Sequence, residues 1–433
     1  MIVKVNTGNI KGKIKPMHGV GQPPFAGVDF SMIKYLSDAG IPYSRLHDVG
    51  GKYGGNRFVD IPNIFRDFNA DPYDAESYDF AFTDLLITAL MQSGVEPVFR
   101  LGVTIENECL IKAYRIYPPA DYQKWAVICE HIIRHYTEGW ADGFKYDIKY
   151  WEIWNEPDNY EDIYENQMWR GTKEQYYELY GVASKHLKCC FPHLKIGGYG
   201  SCGFYVISGS YVSWANSSDR FDYFIEFLDG FLDYVKKNGC PFDFFSWHSY
   251  DSVENNVTYA SYARKKLDDA GFTHTETTLN EWNCEVNTRG TAHHAALTCA
   301  MMLAMQDTPL DSAMFYDAQL GMSVYGSMFN CITREPYPTY YAFTAFNELY
   351  RMGEQIEVTC DADGVYAVAA KSGNDVCIVV ANTGEQRKPL EIEGDIAAKH
   401  CLVTCDGAIE RETPLPDALP PESITVIFAN EIN

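Results

Sequence analysis

Two glutamates in this chain stand where an apolar, strand-like run breaks off. The first is Glu156 in KYWEIWNEPDNYEDI (Lys149 to Ile163), where the β-rich run Tyr150–Trp154 stops at Asn155, Glu156 and Pro157, and proline cannot continue a central strand. The second is Glu281 in TETTLNEWNC (Thr275 to Cys284), directly after the run Thr277–Asn280. Two carboxylates brought face to face can cleave an acetal: one protonates the departing oxygen while the other, about 5–5.5 Å away, attacks the carbon with retention. A single glutamate at a strand end is structural about as often as chemical. Here there are two, and Trp154, Tyr160, Tyr250 and Trp282 adjoin them as flat apolar faces of the kind a sugar ring stacks on.

Such a pair needs a scaffold that opposes two strand ends. Short apolar runs alternate with amphipathic stretches, the texture of repeated βα units. Strands are expected near Lys15–Gly19, Ser44–His47, Pro97–Leu101, Tyr150–Trp154, Lys195–Gly198, Phe244–Trp247, Thr277–Asn280 and Ala313–Tyr316. Between them lie helical patterns such as Tyr78–Gly94 and Pro119–Trp140, with apolar residues three and four apart. Eight alternations without a GxGxxG or GxxxxGK[ST] turn predict an α/β fold, a (β/α)₈ TIM barrel over residues 15–353. In such a barrel strands four and seven face each other across the mouth, with Glu156 on one and Glu281 on the other. After Gly353 come closely spaced runs such as DVCIVVAN and ITVIFAN, which predict an accessory antiparallel β-sandwich over 354–433, joined by residues 1–14.

WNEPDN, with LNEWN downstream, resembles the acid/base and nucleophile motifs of clan A glycoside hydrolases, and within that clan the chain is most similar to family 39, which holds β-xylosidases and α-L-iduronidases. SRLHD (Ser44–Asp48) resembles that family's strand-two Arg-x-His, LKIGGYG (Leu194–Gly200) its fifth strand and FDFFSWHSY its sixth. The resemblance implies a retaining glycosidase acting by double displacement without a cofactor, exo-acting and β-xylosidase-like, with an iduronidase, galactosidase or arabinosidase as alternatives. It makes Glu156 the acid/base and Glu281 the nucleophile, has Asn155 hold the sugar 2-hydroxyl, and places His248 and Tyr250 in the −1 subsite. Arg45 and His47 divide evenly between binding near the nucleophile and bracing the barrel, and Trp282 joins the sugar-binding set. Two departures bear on substrate. Arg100 stands where relatives often carry a strand-three carboxylate, which fits either an acidic sugar or pairing with a nearby aspartate. Strand eight, AMFYDAQ, lacks the usual tryptophan, leaving Tyr316 to stack and Asp317 to meet a hydroxyl. Glu156 is expected to be protonated at working pH, its pKa raised by the surrounding aromatic rings and by repulsion from Glu281.

Composition narrows the partners. With 59 acidic and 35 basic residues the formal charge is −24, which repels phosphate backbones and anionic membranes, so neither is expected as a partner. No stretch reaches a membrane span, and the N-terminus lacks the apolar core of a signal peptide. Thirteen cysteines without repeated spacing suggest neither a disulfide framework nor a zinc site, so reduced thiols, a cytoplasmic location and no metal are expected. A metal-dependent hydrolase would want an HxH pair on strand one, and His18 stands alone there. A sugar-binding barrel without catalysis is the rival of another class, and a homo-oligomer stays open.

Overall fold

The structure is a computed structural model that describes residues 1–47, 58–106, 115–209, 218–320, 324–404 and 411–432. Strand β1 is Ile2–Lys13, and eight parallel strands then close a barrel: β2 (Gly19–Gly21), β3 (Tyr43–Leu46), β4 (Glu96–Leu101), β5 (Tyr150–Ile153), β6 (Lys195–Ser201), β7 (Phe244–Ser249), β8 (Glu276–Trp282) and β9 (Ser312–Phe315). After each barrel strand comes a helix, in order α1 (Ile33–Asp38), α2 (Ala81–Gln92), α3 (Tyr122–Thr137), α4 (Lys173–Cys190), α5 (Ser218–Asn238), α6 (Val253–Ala270), α7 (Ala292–Gln306) and α8 (Pro338–Met352). Strands buried on both faces read as continuous apolar runs, and all six residues of β7, FFSWHS, are buried. The helices begin where side chains satisfy their orphan amides. Asp121 accepts from Lys124 N at α3, and Thr172 forms a capping box with Gln175 at α4.

The fifth and sixth barrel strands run on to Ser201 and Ser249, beyond Gly198 and Trp247, and two further boundaries need correction. The first barrel strand is Gly19–Gly21, not Lys15–Gly19, because Lys15 turns its ammonium onto the carbonyls of Thr308 and Leu310 instead of joining the ladder. The seventh runs to Trp282, so Glu281 lies within β8 and does not follow it.

Beyond α8 the chain forms β10 (Glu354–Cys360), β11 (Val365–Ser372), β12 (Asp375–Asn382), β13 (Lys388–Pro389), β14 (Glu391–Glu393), β15 (Ile396–Thr404), β16 (Arg411–Thr413), β17 (Ala418–Leu419) and β18 (Ser423–Glu431). These make an eight-stranded sheet, order β14-β1-β10-β11-β12-β18-β15-β16, and the ribbon β13-β17; the sheet is antiparallel except where β1 meets β14. Strand β1 pairs with β10, so the chain's start is part of this sheet. Strand β12 shows the period of two: Cys377, Val379 and Ala381 join the core shared with the barrel, whereas Val376, Ile378 and Val380 join a second core. Among the described residues no helix is long and apolar enough to cross a membrane.

Candidate active site

The mouth of the barrel is built on a buried ion network. Arg45 of β3, 1% exposed, spends its guanidinium on three partners: Nε donates to Glu152 Oε2 at 2.8 Å, Nη1 to Glu281 Oε2 at 3.0 Å, and Nη2 to Asn155 Oδ1 at 2.5 Å. Glu152, inside β5, also accepts from Ser246 Oγ at 2.5 Å and Asn280 Nδ2 at 2.7 Å. Burial opposes charge on both groups, yet mutual attraction wins: the carboxyl of Glu152 is held below its ordinary pKa and the guanidinium of Arg45 above its own.

Glu281 reaches this network because β8 is irregular. Trp247 pairs with Leu279 while His248 pairs with Glu281, so Asn280 is an extra residue on the β8 side. A bulge of this kind re-aims side chains. Consecutive residues Asn280 and Glu281 therefore both engage the interior network, whereas strict alternation would turn one of them outward. Glu281 Oε1 accepts from Tyr250 Oη at 2.6 Å. Trp282 packs instead into the hydrophobic layer, fully buried with its ring 5.2 Å from Phe315.

Glu156 sits just past β5 with φ of 44°. Its Oε1 lies 2.7 Å from His248 Nδ1, and its Oε2 accepts from Asn159 Nδ2 at 3.1 Å. One carboxylate oxygen from each of Glu156 and Glu281 and one ring nitrogen of His248 lie within 4.8 Å of one another. Oxygens that near suit a retaining pair, whose carboxyl groups lie about 5–5.5 Å apart.

The expectation that Glu156 carries a raised pKa is corrected by this geometry. Burial does push its carboxyl up, but the hydrogen bond and charge of His248, with the charges of His47 and Arg220, bring it below the ordinary carboxylate value. Burial likewise disfavours the His248 imidazolium, yet the charge of Glu281 and the hydrogen bond to Glu156 raise its pKa. In the free site the proton is thus drawn to the imidazole of the His248–Glu156 pair.

The remaining sequence candidates fall as follows. Tyr250 and Tyr316 meet edge to face at 6.4 Å, and Tyr316 Oη accepts from Gln22 Nε2 at 2.8 Å. His47 is buried at the end of β3 and Asp317 just beyond β9. Trp154 donates Nε1 to the carbonyl of Met168 and packs against Trp169, while Tyr160 lies under the guanidinium of Arg220 at 3.8 Å. Arg100 is fully buried with Nη2 on Asp60 Oδ1 at 2.8 Å. Of its two sequence readings, the aspartate partner is the one present. Asp48 lies outside the described residues.

Several working parts were missed in the sequence: Glu152, Asn280, Ser246, Asn159 and Gln22. Glu152 had a signal, since a charged residue inside the apolar run YWEIW demands a buried partner. Gly200 is a backbone position of this site that resists a side chain. Its φ is +64°, and a β-carbon there would lie 3.0 Å from Asn155 Oδ1, 3.1 Å from His248 Nε2 and 3.2 Å from Arg45 Nη2.

Comparison with known proteins bears on the family and the fold. Residues 50–280, just over half of the chain, match the family model of Glycosyl hydrolases family 39. A beta-xylosidase of Geobacillus stearothermophilus is 24% identical over 365 residues, 74% of this chain and 67% of the relative. One of Caldicellulosiruptor saccharolyticus is 25% identical over 356 residues, 73% of this chain and 66% of the relative, so the match spans about two thirds of either protein. The fold matches a crystal structure of a glucosidase from Croceicoccus marinus with a TM-score of 0.77 at 23% identity, covering 100% of this chain and 99% of that one.

Proposed function

The chain belongs to the glycosyl hydrolases of family 39, and from that premise we propose that it is an exo-acting, β-xylosidase-like enzyme in which Glu281 is the nucleophile and Glu156 the acid/base. The observation that carries the reading is the separation of the two carboxylates, with oxygens within 4.8 Å. The names of the two beta-xylosidase relatives support the choice of sugar.

In the first step a Glu281 oxygen bonds to the anomeric carbon as the bond to the leaving oxygen breaks, and Glu156 delivers the proton that oxygen needs. For that, the proton must reside on Glu156 once substrate is bound. A neutral sugar between the walls displaces water, strengthens the desolvation of the carboxyl and moves the shared proton from His248 Nδ1 toward it over 2.7 Å. As the ester forms, Glu281 loses its charge, and Arg45 and Tyr250, which donate to its two oxygens, hold the resulting ester in place. In the second step Glu156, now a carboxylate, takes a proton from water as the water oxygen attacks the anomeric carbon, releasing Glu281 with the starting configuration restored. Asn155, fixed by Arg45, offers its amide to the sugar 2-hydroxyl.

A panel of aryl β- and α-glycosides (xyloside, arabinoside, glucoside, galactoside, iduronide), followed by an activated fluorosugar of the sugar turned over, tests the reading. The expected result is preferred turnover of the β-xyloside and one added sugar mass on a peptide containing Glu281. Preference for another glycoside would replace the sugar, label on another residue would defeat the mechanism, and affinity without turnover would favour a binding barrel.

A further inference from the structure

Away from the mouth, α3 and α4 bring together a second cluster of metal-ligating side chains. Oε2 of Glu130 on α3 lies 2.6 Å from Nε2 of His186 on α4, and Sγ of Cys190 lies 4.0 Å from the same nitrogen. The three atoms fall within 4.8 Å of one another. His186 and Cys190 are four residues apart and share one face of the helix. Helix α4 ends at Cys190 and leads into the start of β6 at Lys195, so the trio lies toward the barrel end opposite the catalytic carboxylates.

We propose that Glu130, His186 and Cys190 bind a divalent cation of the zinc type, linking α3 to α4. A thiolate, an imidazole and a carboxylate form a donor set that zinc accepts in tetrahedral geometry. Bonds of about 2.0–2.3 Å at tetrahedral angles space the ligand atoms roughly 3.2–3.7 Å apart. The observed 2.6 and 4.0 Å bracket that range, so shifts of under about one ångström complete the site. As the metal–sulfur bond forms, the thiol proton passes to solvent, and the imidazole offers Nε2 with its proton on Nδ1. Nδ1 already faces the side-chain amide of Gln123 at 3.0 Å. Turning that amide presents its carbonyl as the acceptor a metal-bound imidazole requires on its other nitrogen. Arg134 donates to Glu130 Oε1 at 2.7 Å, which orients the carboxylate and leaves Oε2 for the ion. One thiolate and one carboxylate balance the charge of the ion, and water fills the fourth position. Cysteine spacing conceals such a site because its ligands come from two helices 56 residues apart.

Titration of the metal-free full chain with Co²⁺ tests this. A thiolate ligand adds a near-ultraviolet charge-transfer band and a tetrahedral site adds intense visible bands, whereas the catalytic trio of Glu156, His248 and Glu281 holds no sulfur. The expected result is one equivalent of Co²⁺ with both signals, displaced by Zn²⁺. Cys190→Ser should abolish the charge-transfer band, and His186→Gln should weaken binding by about 10-fold or more. Cys189→Ser and Glu156→Gln should leave the titration unchanged, and aryl glycoside turnover should be unaffected by Cys190→Ser. A parent protein without the sulfur band, or an unchanged band in Cys190→Ser, overturns the proposal. If circular dichroism shows Cys190→Ser to be unfolded, Glu130→Gln and His186→Gln decide by the same measure.

Discussion

The two walls of the active site hold their carboxylates in different ways. Glu281 is gripped by Arg45, a permanent cation, and by the phenol of Tyr250, whose own ionisation burial and the charge of Glu281 make still harder. Glu156 faces His248, a partner that titrates, at 2.7 Å. In the proposed roles a nucleophile must be held in aim, which the donors Arg45 and Tyr250 do for Glu281. An acid/base must gain and lose a proton in each cycle, which requires a neighbour able to exchange one. The contrast lies in the partners more than in the carboxylates.

The largest expected effect breaks the Glu281 wall. Glu281→Ala should reduce turnover by about 10⁴-fold or more, on the scale of removing a covalent nucleophile, with the fold retained by circular dichroism. Glu156→Ala should cost about 10²–10⁴-fold on substrates with poor leaving groups and far less on activated aryl glycosides; equal losses on both would reverse the assignment. Tyr250→Phe removes one hydrogen bond to a charged group and should lower kcat/KM by roughly 10- to 100-fold. Trp282→Phe should leave KM within about twofold while lowering the melting temperature, since it removes core packing alone.

The His248 wall sharpens through pH. His248→Gln removes the charge that holds Glu156 down and leaves burial pushing its carboxyl up. The descending limb of kcat/KM, set in the parent by loss of the proton shared by His248 and Glu156, should then report Glu156 alone and shift accordingly. Little or no movement would mean that His248 does not govern the proton.

Behind Glu156, Asp158 is buried with Ser201 Oγ and Cys202 N as donors, and burial with the charge of Glu156 raises its pKa to about 7. A carboxyl raised on folding keeps its proton in the native state while the unfolded chain has released its own. Stability therefore falls as pH climbs from about 4 to about 7 and levels off above that. Asp158→Asn should lack this loss, gaining on the parent across the window in melting temperature.

Alternation of apolar and amphipathic runs, the proline after Glu156 and the composition change at Gly353 are local features, and the chain alone specified the barrel, the antiparallel sheet and the two glutamates. Periodicity and turn chemistry act over a few residues, so they survive without knowledge of the fold. Tertiary structure decided what depends on residues remote in sequence. The bulge at Asn280 lets Asn280 and Glu281 both reach the interior network and leaves Trp282 to the core, although strand alternation by itself would put Asn280 and Glu281 on opposite faces. Arg45 closes on Glu152, Asn155 and Glu281 from 107, 110 and 236 residues away. The proton on the acid/base pair followed the same rule: the aromatic residues beside Glu156 argued for desolvation, but a histidine 92 residues further along lies closer than any sequence pattern could show and offsets it. Electrostatic energy depends on distance in space, and distance in space is settled only when the strands close into a ring.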